Sequence, residues 1–291
     1  MRSAKAVNRD CEIVFHVAHE PSGEWWDAIR PDVTLNRVEP PSAIFGHALR
    51  RFAHQADALR LDILRSEGGI YLDIDVFCVQ PFSPLLDRSM VMGTEPQEGL
   101  CNAVMLAEPG APFLDVWFET YRDFDERNWN AHSVRRPYQL AKQHPNLIEV
   151  LDEYAFFFPT HNDPSSARLW LPHRLWDTLP RSVLKDLKRV VQPTDGTRPP
   201  RRVPFVRHAF WSSERYFQQL RRSYCIHLWE SLWWDAFVGK LSPEVLRESQ
   251  GLFSRLVQDV LGDEPRSAAP SAASSRASQV DAVASDGART S

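Results

Sequence analysis

The first forty residues group into short apolar blocks separated by polar breaks. The apolar runs at 12–18 and 33–38 have the length and composition of strands. Between them, residues 24–29 have the pattern of a short helix. The blocks therefore predict a strand, a helix and a second strand.

A longer helix and another strand follow directly. Apolar residues recur at helical spacing from Leu49 to Ile63. Gly68-Gly69 is the expected end of that helix, and residues 70–79 form a compact β-type run. Strands and helices thus alternate along the chain. This order predicts an α/β fold with a mostly parallel central sheet.

The middle of the chain continues the alternation. Residues 102–107 predict a strand, residues 111–124 an aromatic-faced helix, and residues 154–158 a buried strand or its edge. Two irregular stretches, 160–166 and 193–204, have the composition of mobile surface loops.

Composition places the chain among globular proteins. It has 291 residues, of which 43% are hydrophobic and 25% charged, enough for a sizeable core. We predict one domain over residues 12–264. Residues 265–291 are mostly Ser, Ala and isolated charges, so we predict a disordered tail there, and a disordered N-terminus over residues 1–11.

Charge and cysteine usage exclude several classes of protein. A formal net charge of −4 argues against a nucleic-acid partner, because binding phosphates needs a basic surplus. The four cysteines lie far apart, without the paired spacing of a zinc site or a redox dithiol. No apolar run is long enough for a membrane span, and the polar first ten residues do not resemble a secretory signal.

Two aspartates close together in the 70–79 run are the strongest chemical signal. In a strand, Asp73 and Asp75 point to the same side, towards the edge where α/β sheets bind ligands. Adjacent carboxylates repel each other unless a cation neutralises them. Such a pair suits a divalent ion that bridges an aspartate and a diphosphate, and stabilises the diphosphate as it leaves.

Two other interpretations of this pair stay open. Asp73 and Asp75 can be solvated aspartates at a strand end. They also resemble the first motif of haloacid-dehalogenase phosphatases, in which the first aspartate is the nucleophile and the second the acid/base. That mechanism needs a later lysine and a further acidic pair, and the only late Gly-Asp, Gly262-Asp263, borders the predicted tail.

Asp57 and Arg60 lie three residues apart on the preceding helix and share a face. Such a pair is often a weak surface ion pair, worth under about 1 kcal/mol. Because their helix leads into the Asp73 strand, both can border the same pocket. Arg60 then offers a fork for phosphate or sugar oxygens, and Asp57 an acceptor for sugar hydroxyls.

These residues resemble a known family. Residues 54–64, with Asp57 and Arg60, followed by the Gly-Gly-x-Tyr-x-Asp-x-Asp pattern of residues 68–75, are similar to the DXD sugar-transferase family. The family includes initiation α-1,6-mannosyltransferases and α-1,4-galactosyltransferases, and it is related to clostridial cytotoxin glucosyltransferases. The resemblance is specific over residues 44–86, continues through Asn102 and ends at residues 227–233.

The resemblance implies a GT-A, Rossmann-like nucleotide-sugar-binding fold with added helices, and Mn²⁺ (or Mg²⁺) as cofactor. By position, Asp75 and His227 would bind the metal directly, and Asp73 would contact the donor and reach the metal through water. The other implied donor-binding residues are Asp57, Arg60, Tyr71, Asn102, Ser231 and Trp233. His227 can equally be a buried core histidine, and Asn102 a residue that only bonds the start of its strand.

The implied reaction is transfer of a hexose or N-acetylhexosamine, with retention, from a UDP- or GDP-linked donor to a glycan, lipid or protein acceptor. Asp73, Asp75 and Arg60 are the predicted catalytic residues, without a dedicated base. A module that binds nucleotide sugars without turnover is the remaining alternative. The resemblance implies the Golgi lumen, but no signal or membrane anchor is evident in this chain, so a cytoplasmic location stays open.

Overall fold

A computed structural model describes residues 1–96, 98–161, 163–173 and 211–262, together with residues 177 and 208. The helices are α1 Arg2–Val7, α2 Glu24–Ile29, α3 Phe52–Glu67, α4 Pro112–Glu119, α5 Arg136–Gln143, α6 Glu153–Phe156, α7 Ser213–Arg222, α8 Glu230–Trp233, α9 Pro243–Glu248 and α10 Leu252–Leu261. The strands are β1 Val14–Val17, β2 Thr34–Arg37, β3 Ala43–Ile44, β4 His47–Ala48, β5 Gly69–Leu72, β6 Val76–Cys78, β7 Met90–Glu95, β8 Gly99–Ala107, β9 Glu149–Leu151 and β10 Cys225–His227. The predicted α/β class is confirmed.

The largest sheet has four strands in the order β5-β8-β7-β9. β8 pairs antiparallel with β5 and with β7, and only β7 and β9 are parallel. The prediction of a mostly parallel central sheet is therefore wrong for the described strands. β7 was not predicted, and it is joined to β8 by a connection of three residues. So short a connection makes a hairpin, whereas a parallel pair needs a crossover of about a dozen residues or more.

Three smaller sheets have two strands each, and β3 and β4 form an antiparallel hairpin. β1 and β2 form a parallel pair around α2, as the strand–helix–strand pattern predicts. β10 pairs antiparallel with β6, with His227 opposite Val76 and Cys225 opposite Cys78. This last pairing brings a segment from the end of the chain beside the turn that carries Asp73 and Asp75.

The core fixes the helix that leads into that turn. α3 buries Ala58, Leu61 and Leu64 in a cluster that also contains Phe113 and Trp117 of α4. The helix ends at Gly68, as predicted, with a φ of 67°. A Cβ atom there would lie 2.6 Å from the backbone nitrogen of Pro109, so glycine is required both by conformation and by space.

Three local predictions are wrong. Residues 1–11 are not structureless, because α1 forms and the Ser3 hydroxyl accepts a hydrogen bond from the Cys78 amide at 3.0 Å. The predicted strand at 154–158 is instead α6 and its C-terminal turn, started by Asp152, whose carboxylate accepts from the Tyr154 amide. The predicted loop at 160–166 is not a mobile surface loop, since Ser165 and Ser166 are buried.

The remaining loop and tail predictions fall on residues 193–204 and 265–291, which lie outside the described residues. The described helices are all too short or too polar to span a bilayer.

Candidate metal and donor site

The two aspartates of the motif lie in the turn between β5 and β6. The Asp73 amide donates to the Ala103 carbonyl at 2.9 Å, and the Val76 amide donates to the Asp73 carbonyl at 3.1 Å. The continuous strand predicted over residues 70–79 is therefore broken at this point. Ile74, between the aspartates, is exposed. The turn, and not the alternation of a strand, brings both carboxylates to the same side.

β10 and the residues that follow it contribute the third polar group, His227. The Leu228 amide donates to the Asp75 carbonyl at 3.0 Å, and the Glu230 amide donates to the Asp75 carboxylate at 2.9 Å. His227 Nε2 lies 3.2 Å from Asp75 Oδ1. One potential ligand atom from each of Asp73, Asp75 and His227 lies within 4.8 Å of the others. The three predicted metal ligands are therefore close enough together to hold one metal ion.

The surroundings of Asp75 keep it ionised. Burial alone would raise the pKa of this carboxyl group, but hydrogen bonds from His227 and from the Glu230 amide outweigh burial and lower the pKa below its ordinary value. His227 is itself buried, and its Nδ1 has no hydrogen-bond partner among the described residues. A carboxylate and an imidazole nitrogen thus face each other, which is a suitable pair of metal ligands.

Arg60 connects the motif to α3. Its guanidinium lies 3.1 Å from Asp73 and 3.7 Å from Asp57, and Nη1 also donates to the Asn102 carbonyl at 3.0 Å. Its charge lies over the Tyr71 ring, 4.6 Å from the centroid. Burial disfavours the charged form, but Tyr71 and the two carboxylates outweigh it and raise the pKa of Arg60. In this structure Arg60 therefore holds Asp57 and Asp73 in place.

Hydrogen bonds fix the other two polar groups of this cluster. The Asn102 amide group donates to Asp57 at 2.7 Å, and the Tyr71 hydroxyl donates to Asp73 at 2.7 Å. Burial raises the pKa of Asp57, and Arg60 and Asn102 offset part of that rise. Asn102 lies inside β8 rather than at its start, because the strand begins at Gly99.

The last two predicted donor-binding residues lie on α8, directly after His227. Ser231 is exposed, whereas Trp233 is buried with its ring 5.7 Å from that of Phe237. Neither residue has a described contact with Asp73 or Asp75. Their roles towards a diphosphate stay predictions.

Trp229 was not singled out by the sequence, although it lies in the predicted C-terminal motif. Its backbone is left-handed, with a φ of 53°, which is strained for a bulky residue and is often found at functional sites. The indole N–H donates to the Pro159 carbonyl at 3.1 Å. The rings of His227 and His161 lie 4.2 and 4.8 Å from the Trp229 ring. The sequence analysis gave His161 no role.

Comparison with known proteins gives the site a family context. Residues 24–92 match the family model of the glycosyltransferase sugar-binding region containing the DXD motif. The chain is 35% identical over 273 residues to glucan organizing enzyme 1 of Cryptococcus neoformans var. grubii, covering 90% of this chain and 63% of that protein. It is also 35% identical over 78 residues to inositol phosphoceramide mannosyltransferase 1 of Schizosaccharomyces pombe, covering 26% of this chain and 24% of that protein.

Among solved structures, the galactosyltransferase LgtC in complex with donor and acceptor sugar analogues matches with a TM-score of 0.32 and 17% identity, covering 84% of this chain and 92% of that one. The chain spans less than two thirds of the length of the Cryptococcus relative and about a quarter of the mannosyltransferase. The predicted resemblance to the DXD sugar transferases is confirmed, and the class of enzyme to which it points is a glycosyltransferase.

Proposed function

We propose that this chain, which carries a glycosyltransferase sugar-binding region, is a metal-dependent retaining glycosyltransferase of the GT-A type. It would move a hexose or N-acetylhexosamine from a UDP- or GDP-linked donor to a glycan, lipid or protein acceptor. The observation that carries the proposal is the convergence of Asp73, Asp75 and His227 next to the buried Arg60 cluster. The lipid acceptor, already expected from the sequence, agrees with the name of the Schizosaccharomyces relative, an inositol phosphoceramide mannosyltransferase.

The side-chain oxygen and nitrogen atoms of Asp73, Asp75 and His227 suit a divalent transition-metal ion as ligands. Asp75 and His227 would bind it directly, with Asp73 close enough to act directly or through water. Carboxylates suit Mg²⁺ and Mn²⁺, whereas an imidazole ligand favours a transition metal. Mn²⁺ is therefore the cofactor we propose first. When bound, it would neutralise the charge of the diphosphate leaving group.

Residues on the Asp73 side would bind the donor. Asp57 offers a carboxylate to sugar hydroxyls, and Arg60 keeps it in place. Tyr71 and Arg60 both contact Oδ1 of Asp73 and would orient this carboxylate towards the donor, and Asn102 would orient Asp57. Ser231 and Trp233 complete the proposed set beside the diphosphate. The ionised Asp75 would keep its position through the hydrogen bond from the Glu230 amide.

The transfer breaks the bond between the anomeric carbon and the diphosphate oxygen, and forms a bond from that carbon to an acceptor oxygen. The proton of the acceptor hydroxyl goes to the departing phosphate oxygen, so no protein base is needed. The chain contributes by fixing donor and acceptor in reacting geometry. The positive charge of Arg60, close to Asp73, contributes to a preorganised electrostatic environment.

The phosphatase alternative gains no support from these contacts. That mechanism needs a further acidic pair around the metal, whereas among the described residues the group that could hold a metal ion consists of Asp73, Asp75 and His227. The second aspartate of that mechanism must hold a proton near neutral pH, whereas the pKa of Asp75 is lowered.

Donor turnover by the purified full chain tests the proposal. With Mn²⁺ and a panel of UDP- and GDP-sugars, we expect at least one donor to release its nucleoside diphosphate. Asp75→Asn should abolish this release without unfolding the chain. Asp62→Asn removes an exposed carboxylate from α3 and should keep wild-type turnover.

Two results would contradict a transferase. Phosphatase activity without a sugar donor, surviving the loss of Arg60, would favour the phosphatase alternative. Binding of Mn²⁺ and nucleotide without turnover of any donor would favour a binding module.

A further inference from the structure

A second polar pair lies next to Trp229, the residue that packs on His227. Arg60 and Asp57 contact the site through Asp73, whereas His227 and Trp229 are placed next to Asp75. In this pair, Glu95 at the end of β7 lies 3.4 Å from His161, measured from its carboxylate to Nδ1. The proposed donor mechanism uses neither residue.

The two side chains differ in their exposure to solvent. The Glu95 side chain is only 6% exposed, and that of His161 is 23% exposed. Nδ1 of His161 is completely buried and lies 3.4 Å from the Glu95 carboxylate, but it has no hydrogen-bond partner among the described residues. The exposed surface of the ring therefore belongs to its other atoms, Nε2 among them. Glu95 is therefore the buried residue of the pair, and His161 is the residue that is partly exposed to solvent.

The pair is fixed relative to the metal ligand. The His161 and His227 rings both pack on the Trp229 indole. The Trp229 N–H donates to the carbonyl of Pro159, two residues before His161, so the same tryptophan also holds the segment that carries His161. Its strained backbone indicates that packing over-determines this arrangement.

An imidazole ring held in this position can form a hydrogen bond with a hydroxyl group of a substrate. Nε2 can bond a hydroxyl group in either neutral tautomer, because it accepts a hydrogen bond when the ring proton is on Nδ1 and donates one when the proton is on Nε2. Burial lowers the pKa of His161, which supports a neutral ring. A neutral ring can thus form a hydrogen bond through Nε2 with a sugar or lipid hydroxyl, or with water.

On the basis of the proposed function, we propose that His161 binds the acceptor hydroxyl, with Glu95 as its positioning residue. The donor is assigned to the Asp73 flank, so the flank formed by Trp229 and His161 is available for the second substrate. The acceptor is then a hydroxyl compound, held next to His227 by one hydrogen bond to His161.

Donor hydrolysis tests this inference without knowledge of the natural acceptor, because water takes the place of the acceptor hydroxyl. The probe is the donor that wild-type protein turns over, with Mn²⁺ present. We expect His161→Ala to lower kcat for hydrolysis about tenfold, the effect of losing one hydrogen bond of about 1.4 kcal/mol. The KM for the donor and the affinity for Mn²⁺ should change less than about twofold.

Further variants separate positioning from folding. His161→Gln keeps a polar group at this position and should recover part of kcat. Glu95→Gln keeps a polar group beside Nδ1 and should retain most activity, whereas Glu95→Leu should lose about as much as His161→Ala. His19→Ala removes an exposed histidine and should match wild type.

Several outcomes would overturn the inference. It fails alone if the wild-type protein turns over a donor and His161→Ala has the same kcat. It also fails if the variants raise the donor KM in proportion to their loss of kcat, or if His161→Gln is as impaired as His161→Ala. If wild-type protein turns over no donor, the proposed function itself fails, and this inference with it.

Discussion

Replacement of Arg60 by methionine tests the buried cluster that contains the proposed donor-binding residues. The guanidinium contacts Asp57 and Asp73 and donates to the carbonyls of Asn102 and Ala56. Methionine keeps much of the volume of the side chain but supplies no charge and no donor. The two carboxylates then lose the cation that compensates them.

The expected loss of stability is large because the ion pair is buried. The side chains of Arg60 and Asp57 are 8% and 11% exposed. Removal of one partner of such a pair leaves an uncompensated buried charge and costs about 3–5 kcal/mol. Arg65, one turn further along α3, is the matched control. Its pairs with Asp62 and Asp115 are more exposed, so Arg65→Met should cost about 1 kcal/mol.

Urea unfolding at pH 7 measures both losses as free energies. Burial already raises the pKa of Asp57 against the opposing effect of Arg60, so Arg60→Met should raise that pKa further. As the pH falls, the folded variant then takes up a proton on Asp57 before the unfolded chain does. The difference in stability from wild type should therefore be largest at neutral pH and shrink towards pH 4.

A loss below about 1 kcal/mol at pH 7, equal to that of Arg65→Met, would refute this reasoning. A loss of several kcal/mol that does not change between pH 7 and pH 4 would show that packing, and not uncompensated charge, explains the effect.

Three further predictions concern the metal ligand, the helix end and Glu95. His227→Ala should weaken Mn²⁺ binding, measured by titration calorimetry, at least about tenfold, because one direct ligand is lost; unchanged affinity would remove His227 from the site. Gly68→Ala should destabilise the chain by more than about 2 kcal/mol in urea unfolding, and Gly23→Ala by about 1 kcal/mol. Both glycines have a positive φ, but only at Gly68 would the added Cβ meet the Pro109 backbone. Burial raises the pKa of Glu95 to about 7, so the wild-type protein should lose up to about 3 kcal/mol of stability as the pH rises from about 4.5 to 7. Glu95→Gln should lack this loss, and a wild-type profile that stays flat over that interval would contradict the predicted pKa.

The residues near one another in sequence were the most predictable part of the site. Asp57 and Arg60 share a helical face by spacing alone, and Gly68 ends the helix as a glycine with positive φ should. The carboxylates of Asp73 and Asp75 do lie on one side, although a turn and not a strand brings them there. The spacing of residues that are close together in the sequence was therefore enough to predict the part of the site between Asp57 and Asp75.

His227 was within reach only through the family resemblance, because no local pattern places it beside Asp75. That contact depends on the β6–β10 pairing between distant parts of the chain. Glu95 had no sequence signal at all, since β7 was not predicted, and it meets His161 only in the folded chain.

The failures of the fold prediction have similar causes. The run at 154–158 is too short for periodicity to separate a strand from a buried helical turn, and the Asp152 cap decides for the helix. Sheet direction depends on connection lengths, and the short connection between β7 and β8 was hidden because one of its strands was missed.

The pairing of β10 with β6 also has a consequence for synthesis of the protein. The amide that holds the Asp75 carboxylate belongs to Glu230, 155 residues further along the chain. A nascent chain therefore carries both aspartates long before the ribosome has made the histidine and the amide that complete the site. A product that terminates before residue 227 would hold the two aspartates of the motif but lack the histidine and the amide that lie beside Asp75.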